Sequence, residues 1–491
     1  MTDETRKRFV LVATVIGSSI AFLDAFVVNV ALPTIDEELG LGLSGEQWMF
    51  LSYSLALAAL YLPAGALGDR YGYANTFVVG VIGFAFASVL AGLAPTSEVL
   101  IAARAVQGVF GALLTPGSLA LLRATYGDEA GKAIGAWTAW TSIATAAGPV
   151  VGGAIVQAVS WRVIFLLNIP LAVVTVTLTL MSRDTCRTQI RHRRLDPAGI
   201  VLGAVGVGAL VWALVEGPEG GFGSPAVLAG FAVAALALGA FLLVESRLEE
   251  PMMPLSLFRI RELSVANLAT FFVYGALGAT IFYVVLFAQS VLGYSAIEAG
   301  VVLAPISLIL WALATRFGRA ADSIGPRPFL IGGPLAIALG LVLLGRLEAG
   351  ASYWLEVFPA LAIFSVGLAA TVPAITSTAL KPAPEGLTGI ASGINTTVSR
   401  LGQLIAVAAI GAVVALVYDA AGNPFELGER SAAELSEAAD AFQAAMWVAA
   451  GLAAAGALVS ALGLPRQMRS EAPVPAADTA EAPPPASHPT P

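Results

Sequence analysis

The 491-residue sequence holds a single cysteine, Cys186, and two histidines, His192 and His488. One cysteine excludes a disulfide framework and a cysteine-based zinc site, and two histidines are too few for a histidine metal cluster. Charge is scarce as well: 12% of the residues are Asp, Glu, Lys or Arg against 57% hydrophobic, and the mean hydropathy is +0.83. Water-soluble domains carry about 25% charged residues, so this composition excludes a soluble enzyme and a disordered chain. A net charge of -8 with no basic stripe excludes a nucleic-acid binder. The lysines are Lys7, Lys132 and Lys381, and none sits in a GxxxxGK[ST] phosphate loop. No nucleotide site, and so no nucleotide-driven step, is visible.

What the sequence has is long apolar runs. A helix needs roughly 20 apolar residues to cross the hydrocarbon layer. By that criterion fourteen segments are expected to span: 9–31, 48–67, 75–94, 99–121, 133–157, 163–181, 198–215, 226–244, 264–288, 298–315, 328–345, 354–378, 388–416 and 441–463. Gly and Pro are frequent within them, as membrane helices tolerate, and the run from Phe9 to Ala31 lacks the alternation of a β-barrel strand. The basic start at Arg6, Lys7 and Arg8 is followed by too long an apolar run, with no small-residue cleavage site, to read as a signal peptide.

Lys and Arg in the connections set the orientation. With the N-terminus inside, 20 of the 25 fall on inner connections, Arg162, Arg346 and Arg430 fall outside, and Arg104 and Arg400 lie within spans. This bias places both termini in the cytoplasm and the protein in the plasma membrane. The most basic connection, 182–197, reads as a topology anchor or a contact with anionic lipid. The outer 418–440 connection is acidic and reads as solvated, with a short helix. The Pro/Ala-rich tail, 465–491, reads as disordered and cytoplasmic.

The connection after span 2, Gly65 to Gly72 (GALGDRYG), echoes the one after span 10, Gly318 to Gly325 (GRAADSIG), with Gly, Asp69 or Asp322, and Gly at equal offsets. Two parallel six-span halves with two spans inserted between them would pair span 2 with span 10, an architecture of secondary transporters. The expected units are a six-span bundle at 9–181, two inserted spans at 198–244 and a second six-span bundle at 264–463.

Three charges lie deep in spans: Asp24, Arg104 and Arg400. Such charges are costly and are functional candidates by default. Asp24 stands about 15 residues from the inner start of span 1, roughly 22 Å, and Arg104 about five residues from the outer start of span 4, roughly 8 Å. In a layer of about 30 Å both sit at one depth in the outer half, within reach of an ion pair, direct or through water. Burial favours the protonated form of a carboxyl and a nearby arginine the ionised form, so a change in either would load or release a proton. Two readings of Asp24 stand at this point: a proton carrier, or a cap on broken helix geometry near Asn29 and Pro33. Arg104 either tunes Asp24 or holds the backbone of span 1, and Gln107, one turn on, shares its face. Arg400 has no acid at matching depth. It reads as a contact for an anionic substrate or for coupling, or as packing near Gln403.

Several stretches carry a resemblance. Asp69-Arg70-Tyr71-Gly72 within GALGDRYG is similar to the loop 2–3 motif of the major facilitator superfamily. Arg104-Ala105-Val106-Gln107-Gly108 resembles its RxxQG motif, and Gly148-Pro149-Val150-Val151-Gly152-Gly153 its antiporter motif. Leu23-Asp24 through Asn29-Val30-Ala31-Leu32-Pro33 resembles the LDxxxxNVALP signature of the fourteen-span drug:proton antiporter branch. Trp161 to Phe165 with Asn168 and Pro170, and Val291-Leu292-Gly293-Tyr294-Ser295, resemble that branch too. The resemblance runs from about residue 9 to 464. It departs in the degenerate second-half loop and in Ala25-Phe26, where a Thr is common.

The resemblance implies an all-α membrane fold of the major facilitator type: two six-helix bundles plus two extra helices, fourteen spans in all. It implies a latch at Gly65, Asp69, Arg70, Gly72 and Asp322, and an antiporter seal at Gly148, Pro149, Gly152 and Gly153, where small residues also simply let helices pack closely. Asn29, Tyr53, Tyr61, Gln107, Trp137, Trp140, Tyr274 and Tyr283 are expected around an amphipathic substrate cavity, or in core packing. The expected activity is export of small amphipathic organic compounds in exchange for protons, with Asp24 and Arg104 coupling. A proton-coupled uptake permease and an exporter of an endogenous metabolite are the alternatives. The expected partners are substrate, protons and the bilayer, with no nucleic acid or nucleotide, no cofactor beyond the proton gradient, and a monomeric state. A membrane enzyme lacks its paired acids or nucleophile–base pair here, and a sensor lacks its soluble output domain.

Overall fold

The computed structural model describes residues 2–127, 130–182, 196–248, 251, 253–384, 387–418, 423–428 and 430–465. The basic connection with Cys186 and His192, part of the acidic 418–440 connection and nearly all of the tail with His488 lie outside them.

The regular elements are helices. The first stretch holds α1 (Asp3–Leu39), α2 (Gly42–Tyr71), α3 (Tyr73–Gly92), α4 (Ser97–Gly111), α5 (Leu114–Tyr126), α6 (Ala130–Ala158), α7 (Trp161–Leu166) and α8 (Asn168–Met181). Two helices follow, α9 (Pro197–Gly220) and α10 (Pro225–Arg247). The last stretch holds α11 (Arg261–Ser290), α12 (Ala296–Val302), α13 (Ala304–Ile324), α14 (Arg327–Leu344), α15 (Phe358–Leu380), α16 (Thr388–Val417) and α17 (Ala432–Gly463). Helix is the outcome that lipid imposes, because every backbone N–H and C=O must then be satisfied within its own segment. Helix ends carry local caps: Asp196 and Ser224 accept from the backbone at the starts of α9 and α10, each followed by a proline at the first helical position. Ser295 with Glu298 and Ser431 with Glu434 close capping boxes on α12 and α17.

Eleven helical stretches among the described residues are long and apolar enough to cross a bilayer, or twelve if the bent pair Glu4–Asp24 and Val27–Leu39 is one span. The chain is therefore a multi-pass membrane protein. The expected count of fourteen is met in part, since the eleven do not include α2 or α6. Spans 4, 6 and 10 of the sequence reading each run as two helices joined by a short break, namely α4–α5, α7–α8 and α12–α13.

Within the first stretch α1 packs on α6, α8 and α5, and α4 on α2 and α3. Within the last, α11 packs on α16 and α17, and α14 on α15 and α17. The pair α9 and α10 pack on each other, and α9 lies against both α2 and α16. Contacts between the two long stretches run through α6 with α12, α2 with α16, and α1 with α11.

The echo between the two loops has a backbone basis. Gly72 ends α2 at φ 90°, ψ 134°, and Gly325 ends α13 at φ 91°, ψ 152°. Both occupy a region that is essentially closed to residues with a Cβ. The same reversal is made by the same residue at the end of each of the two echoing loops.

Candidate functional site

Asp24 on α1 and Arg104 on α4 form a direct ion pair through Oδ2 and Nη1, with residue exposures of 3% and 1%. The depth match inferred from helix rise thus becomes contact. Gln107 lies one turn from Arg104 on the same face. Its Oε1 accepts from Arg104 Nη1 at 2.8 Å, and its Nε2 donates to Asp24 Oδ1 at 3.3 Å and to Ser88 Oγ at 2.8 Å. Asn168, at the start of α8, donates from Nδ2 to Asp24 Oδ1 at 3.1 Å and to Ser88 Oγ at 3.2 Å. Arg104 Nε donates to the Met49 carbonyl on α2 at 3.4 Å, and its guanidinium stands 4.4 Å from the Tyr53 ring centroid and 5.9 Å from that of Phe165. Tyr53 Oη donates to the Ala21 carbonyl at 3.2 Å.

Two charges in an apolar interior demand this degree of satisfaction, because an unpaired buried charge is far costlier than a paired and hydrogen-bonded one. Six elements meet there: α1 and α4 supply the charges, and α2, α3, α7 and α8 the remaining contacts. Arg104 pairs with Asp24 and holds a backbone carbonyl on α2, not the backbone of span 1 that the sequence reading offered as its second alternative. Ser88 was not singled out in the sequence, and Asn168 appeared there only within a motif. The signal available for Ser88 was one hydroxyl in an apolar span.

The other expected cavity residues disperse. Trp137 Nε1 donates to the Thr14 carbonyl and to Ser18 Oγ, each at 3.2 Å, so it ties α6 to α1. Trp140 is 60% exposed and outside the ion-pair network. Asn29 is buried with neither side-chain polar atom hydrogen-bonded. Tyr283 is a correction: it lines no open space but is fully buried in the seam between the two stretches. Its hydroxyl accepts from Gln47 Nε2 at 3.1 Å and donates to the Val407 carbonyl at 3.2 Å.

That seam has further members absent from the sequence reading. Gln289 Nε2 donates to the Val30 carbonyl at 3.0 Å, and Asn423 Nδ2 to Asp36 Oδ2 at 2.9 Å. The antiporter-like stretch belongs to the seam as well. A Cβ on Gly153 would stand 2.7 Å from the Ile297 Cα, and one on Gly300 would stand 2.6 Å from the Pro149 carbonyl carbon. Here α6 and α12 touch backbone to backbone, which only glycine permits. Gly152 packs likewise on Val27, and Gly148 and Pro149 are buried.

The latch candidates sit at the opposite ends of their helices. Gly72 makes the reversal described above. Arg70 is exposed, 5.5 Å from the Tyr71 ring centroid, and Asp322 pairs with Lys381 at 2.8 Å on the surface. The side-chain placements of Gly65 and Asp69 lie outside the described residues.

Arg400 on α16 is only partly buried and makes no hydrogen bond or ion pair among the described residues. It lies within electrostatic reach of Tyr53, Tyr61 and Tyr274. A separate cavity of about 640 Å³ opens between α2, α4 and α9, walled by Leu55, Ala59, Ala105 and Val109, with Trp212 and Glu216 also on it. The sequence reading did not foresee it, because it depends on how an inserted helix docks. Among the described residues no three His, Cys, Asp or Glu side chains converge as a metal site.

Comparison with known proteins agrees with this architecture. The chain is 34% identical over 443 residues to the tetracenomycin C resistance and export protein of Streptomyces glaucescens, covering 88% of this chain and 81% of that one. It is 36% identical over 421 residues to the multidrug resistance protein Stp of Mycobacterium tuberculosis, covering 84% and 77%. A bacterial homolog of the human lysosomal transporter Spinster, solved inward-facing and unoccupied, superposes with a TM-score of 0.68 at 17% identity over 93% of this chain and 97% of that one. At that identity the likeness concerns the fold. The family model of the Major Facilitator Superfamily matches residues 14–407. By its matched length, its relatives and its fold, the chain belongs to the Major Facilitator Superfamily.

Proposed function

We propose that this protein exports small amphipathic organic compounds in exchange for protons, by alternating access of two six-span bundles, 9–181 and 264–463, in a fourteen-span chain with both termini cytoplasmic. The observation that carries the coupling reading is the Asp24–Arg104 pair, fully enclosed and braced by Gln107, Asn168 and Ser88. Protonation of Asp24 removes the charge that Arg104 balances. The guanidinium then keeps Gln107, the Met49 carbonyl and the Tyr53 ring, and α1 is released from α4 at that point. Tyr53 is on α2, which also packs against α16 of the other half, so a change at the pair reaches the interface between halves. Opening the Gln47–Tyr283, Val30–Gln289 and Asp36–Asn423 seam lets protons reach Asp24 from outside. Closing it returns the substrate site to the inner face. Relatives named for resistance and export support the outward direction.

The test uses purified protein in proteoliposomes with an imposed inward proton gradient and a lumenal pH dye. Lipophilic cations, neutral drugs and organic acids are added one at a time. Substrate-dependent proton movement by wild type that is absent in Asp24→Asn is the expected result. Proton movement that survives in Asp24→Asn would remove Asp24 from coupling and leave it a structural role.

A further inference from the structure

Glu46 on α2 is 0% exposed, and neither of its carboxylate oxygens has a hydrogen-bond partner among the described residues. It stands two residues before the apolar run 48–67. Ionised, it would be a buried charge with nothing to balance it, a state that protein interiors avoid by keeping the group neutral. The donors around it are already committed. A helical side chain leans over the turn before its own Cα, which brings Glu46 over Gly42. The Gly42 N–H donates to Asp36 Oδ1 at 2.7 Å, and Asn423 Nδ2 donates to Asp36 Oδ2 at 2.9 Å. Arg430 donates to the carbonyls of Pro424 at 2.5 Å and Asn423 at 2.8 Å. Gln47, the next residue, donates to the Tyr283 hydroxyl at 3.1 Å, which itself donates to the Val407 carbonyl at 3.2 Å. Two acids therefore share one closed place, and the donors go to Asp36.

The seam between the halves is what closes it. Asp36 and Glu46 belong to the first stretch, and Tyr283, Val407, Asn423 and Arg430 to the last. Gly411 on α16 lies so near Gln47 that a Cβ there would stand 2.5 Å from the Gln47 Cδ. The titratable and charged groups that face Glu46 are Asp36 from α1, Tyr283 from α11 and Arg430 from the outer connection. Burial, with Asp36 adding to it, holds the Glu46 carboxyl well above the usual carboxylate range, and Asn423 and Arg430 oppose this more weakly.

We propose that Glu46 is a second proton-binding site, separate from Asp24, and that the seam closes only over its protonated carboxyl. Closing joins the carboxylate and one proton from water into the neutral acid, and opening returns that proton to water. The proposal rests on the export reading only for the side that the seam seals, which makes the outside the source of the proton. With the seam open, Glu46 meets water and titrates near the ordinary carboxylate value of about 4.3. Its value with the seam closed is higher, so closure is favoured below that value and lost as pH rises through it. Between the two values the ratio of closed to open protein changes by about tenfold per pH unit.

The test reads the distance between spin labels on Leu93→Cys and Glu348→Cys, exposed outer positions in the first and last stretches, with the native cysteine removed by Cys186→Ser. Purified full-length protein in phosphatidylcholine nanodiscs is measured by double electron–electron resonance from about pH 5 to about pH 8, above the ordinary carboxylate value. A short distance should dominate in acid and give way to a longer one as pH rises. Glu46→Gln, a neutral isostere, should hold the short distance throughout, and Asp24→Asn should keep the wild-type profile. A wild-type distance that does not respond to pH overturns the proposal, and so does a response that persists in a folded Glu46→Gln. If Glu46→Gln is misfolded by its thermal midpoint, Asp24→Asn decides: a profile kept there supports Glu46, and a profile lost there assigns the response to Asp24 and overturns the proposal. The two readings fail separately, because a seam insensitive to pH leaves substrate-driven proton movement in place, and absent proton movement leaves the distance profile in place.

Discussion

Removing both members of the Asp24–Arg104 pair should cost well below the sum of removing each alone. Arg104→Gln leaves a carboxylate that is 3% exposed without its counter-charge, and the usual cost of stranding one member of a buried pair is about 3–5 kcal/mol. The lower end applies here, since Asp24 keeps Asn168 at 3.1 Å and Gln107 at 3.3 Å. Asp24→Asn leaves Arg104 with Gln107 at 2.8 Å, the Met49 carbonyl at 3.4 Å and the Tyr53 ring at 4.4 Å, again near 3 kcal/mol. In the double variant Asp24→Asn/Arg104→Gln no charge is left stranded, so its cost should fall below the sum of the singles by about 2–3 kcal/mol, within the range measured for contacting residues. The assay is reversible unfolding in mixed micelles of dodecylmaltoside and SDS at neutral pH, with the four proteins as one thermodynamic cycle. Additive single effects would refute the claim that these charges depend on each other. Transport on the same four proteins separates stability from coupling: the double variant should lack proton exchange although its two stability losses are not additive.

Three further outcomes follow from particular geometries. Gly153→Val and Gly300→Val each place a branched side chain into the backbone contact of α6 with α12, at about 1–3 kcal/mol of overpacking. Cysteines introduced beside the seam should become more reactive to a membrane-impermeant maleimide, and unchanged labelling would show that the contact does not close this end. Gly72→Ala and Gly325→Ala strain backbones held at φ 90° and 91°, each by about 1–3 kcal/mol. The two should lower the thermal midpoint to a similar extent, and a large disparity would argue against their equivalence. Glu38 is held below the usual carboxylate range chiefly by the hydrogen bond from Trp161, 2.6 Å, which outweighs the opposing effect of burial, with further lowering from Arg162 at 2.5 Å. A depressed folded value stabilises the protein above the ordinary carboxylate pKa, and that contribution is lost as pH falls through the folded value. Because the side chain is 46% exposed, Glu38→Gln should cost only about 0.2–1 kcal/mol at pH 7. The difference should vanish in acid, and a difference that grows on acidification would contradict the assignment.

Much of the site could be read along the membrane normal. Depth follows from helix rise and bilayer thickness, so the agreement of Asp24 and Arg104 needed no tertiary information. Gln107 followed from the helix face, and the paired reversals at Gly72 and Gly325 from a recurrent glycine. Direction around each helix axis was not legible in the same way. Tyr283 and Trp137 looked like cavity aromatics, but Tyr283 closes the seam and Trp137 binds α6 to α1.

The sequence by itself determined that this is a multi-pass helical protein of the Major Facilitator Superfamily, where its apolar runs lie, and that Asp24 and Arg104 share one depth among them. Those facts follow from composition, spacing and the cost of polar groups in lipid, which act residue by residue. Only the tertiary structure decided that Ser88 and Asn168 complete the acid's shell and that the second half of α6 meets α12 backbone to backbone. Those facts depend on the rotation and crossing of helices far apart in the chain, and packing of small residues, rather than any local pattern, sets them.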